Sequence, residues 1–384
     1  MTMLRNIAIA CGLAVAMSGT ALYAQDSGVT KTEVLIGAFL PLQSGLAGGA
    51  AQVRDGALAY VQHINENGGV NGRKLRWLFE NDSYNPQQAV AVTKKLVERD
   101  GIFAIVSPLG TATGLAVLPY VAQKKIPMIG PVAGSPRLLE PKEREVFGVL
   151  PSGIRRGQAV AKHAVEGMAG KKIAVFFQND DFGKDLRDGV KEQLKAVGQS
   201  IVGETSYEPN DIDMSSQVAK LRAADPDVVV LAGIPKPVSL FVNEAAKQGW
   251  QPKYVGSSPI SDPLMAELAA KNADDINIVF DVALPNMPES AKANEILAKY
   301  TSQTRPGYFV YNGMIGMMLF VEALKRSGPE PTRAAIIAEL EKLKDFRSDI
   351  FPPISYSADN HAGISSYGLA KWKNGKLEVL KSWK

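Results

Sequence analysis

EVLIGAFLPLQSGLAGGAAQ, residues 33–52, decides the fold. Its first eight residues form an apolar run of strand length. The chain then breaks at Pro41, passes through Ser44, Gly45, Gly48 and Gly49, and enters a helical pattern among small residues. A strand handed to a helix through a short turn is the repeating step of a parallel sheet covered by helices. A Gly-rich turn of this kind cradles an anion on backbone N–H groups. Phosphate is the poorer candidate: the turn lacks the Gly-Lys-Ser/Thr ending of a Walker A loop, and no complete dinucleotide glycine pattern opens a helix.

The step repeats along the chain. A helix over 50–67 is stopped by Asn67-Gly68-Gly69, and RKLRWLFEND follows as a strand. Asn85-Pro86 caps a helix running to about Arg99. Strands over 102–108 and 126–131 flank a helix that contains Pro119. The pattern restarts at KKIAVFFQND (171–180), and strands near 200–207, over 227–233 and at KYVGSS alternate with helices. Two α/β units in tandem result, with VFGVLPSGIRRG (146–157) as an extended join between them. In parallel sheets ligands sit beyond the carboxyl ends of the strands. The turns at those ends are rich in small and hydroxyl residues: SGLAGG, SPLGTATG, GPVAGSP, QNDDFG, AGIPKP and GSSPIS.

The chain has 384 residues, 46% hydrophobic and 21% charged, with a formal charge of +4 and no basic block to track a nucleic-acid backbone. Nucleic acid is therefore excluded as a partner. Residues 1–24 read as a signal peptide: a basic start, a short apolar run and a small-residue approach to Ala24. Export to the periplasm with cleavage is the expectation. Cys11, the only cysteine, lies in that run, so the mature chain offers no thiol chemistry or disulfide. GMIGMMLFVEAL (313–324) is apolar but interrupted by Glu322 and too short to span a membrane.

An enzyme is not expected. His63, His163 and His361 fall in different elements, with neither metal-ligand spacing nor a Ser or Asp partner, and no Gly-x-Ser-x-Gly elbow is present. Asp180-Asp181 precedes a helix, where acids favour the N-terminal dipole; capping and ligand contact both remain open for the pair. No metal or cofactor is called for.

IGAFLPLQSG, DGALAYVQHINENGGVNGRKL, NDSYNPQQAVAVTKKLV, IPMIGPVAGSP, DDFGKDL, SSQVAKLRAADPDVVVLAG and EAAKQGWQPKYVGSS, taken in order, resemble the periplasmic solute-binding proteins of branched-chain amino-acid type ABC importers. The resemblance implies two Rossmann-like α/β lobes of type I topology joined by a three-strand hinge, with crossings near 147–150, 281–285 and 353–356. Lobe 1 would be 30–147 plus 285–354, and lobe 2 148–284 plus 355–384. It further implies a monomer that closes over one small-molecule ligand and delivers it to a membrane ABC permease with its ATPase subunits. A periplasmic sensor of the same fold is the other reading.

Carried over by position, Thr111 and Ala112 resemble the hydroxyl and amide pair that holds a ligand carboxylate, with Val132, Ala133 and Gly134 at neighbouring main-chain contacts. Ser44 to Gly49 would form one lip of the cleft. The acid that faces the ligand ammonium in the amino-acid binders is replaced by Ser257, Ser258 and Pro259, and their tyrosines by Phe182 and by Ile234-Pro235-Lys236. An ammonium buried without a partner is costly. The remaining candidates, Tyr84, Phe182, Ile234, Pro235 and Ser258, suit an aromatic or other hydrophobic carboxylic acid; branched-chain amino acids are the alternative, with Asp181 or Asp262 supplying the charge.

Overall fold

The computed structural model describes residues 26–383 apart from 141 and 302. The expected signal peptide and Cys11 lie outside the described residues. Two parallel sheets organise the chain. The first has the order β2-β1-β3-β4-β5, from β1 (Glu33–Leu40), β2 (Lys74–Asn81), β3 (Ile105–Val106), β4 (Met128–Ile129) and β5 (Val146–Phe147). The second comprises β6 (Ile173–Gln178), β7 (Ile201–Tyr207), β8 (Val228–Ala232), β9 (Lys253–Ser257), β10 (Asn277–Phe280), β11 (Gly368–Lys373) and β12 (Lys376–Lys381). Its order is β12-β11-β10-β9-β8-β6-β7. β6 to β10 pair in parallel, whereas β11 and β12 add an antiparallel hairpin at the β10 edge.

The central strands are buried on both faces, as β1 after Glu33 and the whole of β8 show, which is why they read as unbroken apolar runs. The strands expected over 102–108 and 126–131 reduce to two paired residues each. Pro108, Pro127 and Pro131 remove ladder donors there, and Ser107 turns the backbone to φ +56°. The helix capped by Asn85 is α-helical to Lys94 and ends in a π-turn, Lys95–Arg99. Pro119 is accommodated inside the helix Thr111–Lys124.

The apolar segment 313–324 belongs to a helix, Tyr308–Arg326, that fills the core of the first unit. It packs on the helix Ala47–Glu66 through glycines: a Cβ on Gly56 would lie 2.0 Å from the Val310 carbonyl oxygen, and one on Gly313 2.1 Å from that of Val53. Only glycine admits backbones this close. Among the described residues no helix is long and apolar enough to cross a membrane.

The chain passes between the units three times. Val149 and Leu150 still pack in the first core, and Val282 and Ala283 return to it, whereas Leu284 and Met287 pack in the second. The third passage differs from the expected 353–356. Ile354, Tyr356 and Ile364 pack in the first core, Tyr356 Oη donates to the Gly148 carbonyl at 2.7 Å, and the Ile364 N–H donates to Val149. The chain rejoins the second sheet only at Gly368.

Where the units meet, Arg156 and Asp281 form a buried ion pair, with Nε to Oδ2 at 2.7 Å and Nη2 to Oδ1 at 3.1 Å. Burial pulls the guanidinium pKa down, but the Asp281 carboxylate reverses this and holds it above its ordinary value. Ser258 Oγ donates to Asp281 Oδ1 and accepts the Asp281 N–H, both at 2.8 Å, while Arg156 Nη2 reaches the Tyr308 hydroxyl at 3.3 Å. Removing one partner strands a buried charge, so Arg156→Met is expected to cost about 3–5 kcal/mol in urea unfolding. The double variant Arg156→Met/Asp281→Leu should recover most of that loss.

Candidate functional site

The helix Thr111–Lys124 starts without a side-chain cap, after Gly110 at φ +133°. A Cβ on Gly110 would lie 2.2 Å from Thr113 Oγ1 and 3.1 Å from the Tyr84 ring, so glycine is required for the helix to start against Tyr84. The first-turn N–H groups form the positive end of the helix dipole. Thr111 Oγ1 accepts the Gly134 N–H at 2.8 Å, which leaves the hydroxyl hydrogen without an acceptor among the described residues.

A cavity of about 30 Å³ lies at this helix start, between the two units. Leu46, Leu109, Val132, Ala133 and Phe309 form its walls on the first unit. Phe182, Ile234 and Pro259 face them from the second, and Gln178 supplies an amide. None of the described lining residues is Lys, Arg or His. The volume holds a water or two, so a solute enters only by parting the walls. Leu46, Phe182 and Ile234 form one small apolar cluster with Tyr84 across the gap. The lips meet as well: the Gly45 N–H donates to Asn210 Oδ1 at 2.8 Å, and a Cβ there would collide with the Pro209 carbonyl oxygen.

Of the residues singled out from sequence, Tyr84, Thr111, Val132, Ala133, Phe182 and Ile234 line this cavity. Gly134 stands just behind, where a Cβ would come within 2.9 Å of the Phe182 ring, and the Ala112 N–H faces the Tyr84 hydroxyl. The others lie elsewhere. Ser44 Oγ shapes its own turn by accepting the Leu46 N–H, and Gly49 packs against the Phe309 ring. Pro235 opens the helix Pro235–Lys247, and Ser258 is committed to Asp281. Asp181 is exposed in the first turn of the helix Asp181–Ala196. Leu46 falls within the lip expected over residues 44–49, and Pro259 was named only as a replacement for the ligand-facing acid; sequence reasoning missed Leu109, Gly110, Gln178, Tyr308 and Phe309. Gln178 ends β6 at the ligand-bearing edge and carried a positional signal; Tyr308 and Phe309, which come from a distant helix, carried none.

Two carboxylates tie the units across this region. Asp180 caps its helix by accepting the Gly183 N–H on Oδ1. Its Oδ2 accepts the Tyr84 hydroxyl and Gln178 Nε2, each at 2.5 Å. Tyr207 continues the network, donating to Gln178 Oε1 and accepting the Ile234 N–H. Burial, and after it the Asp180 charge, pushes the Tyr84 phenol pKa well above its ordinary value, so Tyr84 stays a donor. Asp262 is fully buried and accepts Gln52 Nε2 at 3.1 Å and the Phe309 N–H at 3.4 Å, both from the first unit. Burial pushes its carboxyl up to about 6. Among the described residues no group of three His, Cys, Asp or Glu side chains is placed to hold a metal ion.

Residues 33–376 match the family model described as periplasmic binding protein. The Leu/Ile/Val-binding protein homolog 3 of Brucella melitensis is 26% identical, over 91% of this chain and 94% of the relative. Among solved structures, a fatty acid ABC transporter substrate-binding protein from Thermomonospora curvata aligns with a TM-score of 0.84 at 21% identity, over 93% of both chains. A branched chain amino acid ABC transporter protein from Thermus thermophilus with bound valine aligns at 0.82 and 18%, over 92% of this chain and 96% of that one. At these identities the structural matches speak for the fold alone.

Folding raises the Asp262 pKa from an ordinary 3.8 to about 6, so its contribution to stability is full below the unfolded value and is lost as pH rises through the folded one. Relative to Asp262→Asn, the wild type should lose on the order of 3 kcal/mol between about pH 4 and pH 7, measured by urea unfolding at each pH.

Proposed function

The chain belongs to the periplasmic binding protein family, and from that premise we propose that it is the periplasmic solute-binding receptor of an ABC importer, not an enzyme. Its ligand is a small carboxylate on an apolar body, an aromatic or other hydrophobic carboxylic acid. One observation carries this reading: a helix start without a side-chain cap, with a free Thr111 hydroxyl hydrogen, opens onto apolar walls that lack a cation among the described residues. Neutral donors aimed at one point, with the helix dipole behind them, satisfy a carboxylate without a positive side chain. The ring or alkyl body then gains about 25 cal/mol per Å² of apolar surface withdrawn from water. Both units contribute walls, so affinity depends on their closing together, and a permease would receive the ligand when they part.

A second reading, branched-chain amino acids, is supported by the Asp180 carboxylate bonded to two cavity-lining side chains and by the names of the Brucella and Thermus relatives.

Thermal-shift measurements on protein stripped by unfolding and refolding separate the two. A ligand at a hundred times its dissociation constant stabilises the native state by about 2.7 kcal/mol. Stabilisation by benzoates, cinnamates or phenylalkanoates, and none by leucine, isoleucine or valine, is the expected outcome; the reverse replaces the first reading with the second. Thr111→Ala should weaken the bound acid roughly ten- to a hundredfold, the range for a hydrogen bond to a charged group.

A further inference from the structure

We infer that Tyr84 sets the ligand class: its hydroxyl closes Asp180 against an ammonium, so the cleft accepts apolar carboxylates and rejects their α-amino counterparts. The inference rests on the carboxylate reading above and names the residue that enforces it.

Four carboxylates border the cavity through its lining residues, and three are turned to other tasks. Asp281 is paired with Arg156. Asp262 is held by Gln52, Leu264 and the Phe309 N–H. Asp82 lies fully buried beneath the turn, its Oδ1 accepting the Tyr84 N–H at 2.9 Å. Asp180 alone has an oxygen bonded to two side chains that themselves line the cavity, Tyr84 and Gln178.

That oxygen is saturated. A carboxylate oxygen offers two in-plane lone pairs, and both donors stand 2.5 Å from Oδ2. Oδ1 faces the start of its own helix, where it accepts the Gly183 N–H. An ammonium arriving at this edge meets the two donors that fill Oδ2, and burying it against them is costly. A carboxylate at the Thr111 end meets donors only, which suits it.

Tyr84 is held in this place against its conformational preference. Ser83 and Tyr84 lie at φ +51° and +59°, two successive left-handed residues without a glycine. Non-glycine residues persist in this region only where the surroundings enforce them. Here Asn81 Oδ1 accepts the Ser83 N–H at 3.0 Å, and Asp82 Oδ1 accepts that of Tyr84. The strained turn delivers the phenol across the gap to Asp180, while its ring packs with Leu46, Phe182 and Ile234.

Tyr84→Phe keeps the ring and removes only the donor. The test measures dissociation constants by calorimetry for two matched pairs, 4-methylpentanoate with leucine and 3-phenylpropanoate with phenylalanine, on wild type and variant. The wild type should prefer the deaminated member of each pair. Tyr84→Phe should shift the ratio at least tenfold toward the amino acid, and adding Asp180→Asn, which retains a capping side chain, should abolish the shift. If Tyr84→Phe does not fold, Gln178→Met removes the other donor and should move the ratio in the same direction. A wild type that prefers the acids, with a ratio unchanged in the variant, overturns this inference and leaves the carboxylate reading standing. A wild type that prefers the amino acids overturns both.

Discussion

A guanidinium and a carboxylate shut away from water must find each other, and in this chain that requirement falls where the two units join. Arg156 comes from the first helix of the second unit, Asp281 from the chain's return to the first, Ser258 from the end of β9, and Tyr308 from the central helix of the first unit. The pair therefore fixes four segments at once. Two of the cavity's walls depend on it directly: Tyr308 is bonded to Arg156, and Pro259 follows the serine bonded to Asp281. A buried ion pair is a poor source of stability but a strict judge of geometry. The cleft inherits that geometry.

Among the described residues the cleft adds no positive side chain of its own. Its polarity comes from a helix start, the Thr111, Tyr84 and Tyr308 hydroxyls and an amide, set among aliphatic and aromatic walls. Such groups are weakly hydrated compared with an ammonium or guanidinium, so desolvating them as the units close costs less. A short hydrogen bond to a carboxylate crosses the gap within the protein itself, from Tyr84 to Asp180. An arrangement of neutral donors with an occupied acid discriminates by what it leaves unsatisfied.

Much of the fold was legible because the central strands are buried on both faces and separated by Gly, Pro and Asn punctuation; β1, β6 and β8 read almost residue for residue. β11 and β12 were not, since β12 is largely exposed and reads as a lysine-rich tail. The third passage was misplaced because Ile354, Tyr356 and Ile364 pack without any period to mark them. Within the candidate site, Thr111, Val132, Ala133, Phe182 and Ile234 were marked by the family resemblance, on turns just beyond strand ends. The misses are often small displacements with large effects. Asp180 rather than Asp181 faces the gap, and Pro259 rather than Ser258 lines it. One step along a turn redirects a side chain, and local sequence does not say which neighbour the tertiary structure will choose.

The hairpin of β11 and β12 also orders events in time. Until it arrives, β10 presents an open row of N–H and C=O groups at the edge of the second sheet. The strands that cover it follow only after the more than eighty residues that complete the first unit. The second sheet is thus completed by joining segments far apart in sequence, the slow kind of contact. The hairpin acts as the clasp of that sheet.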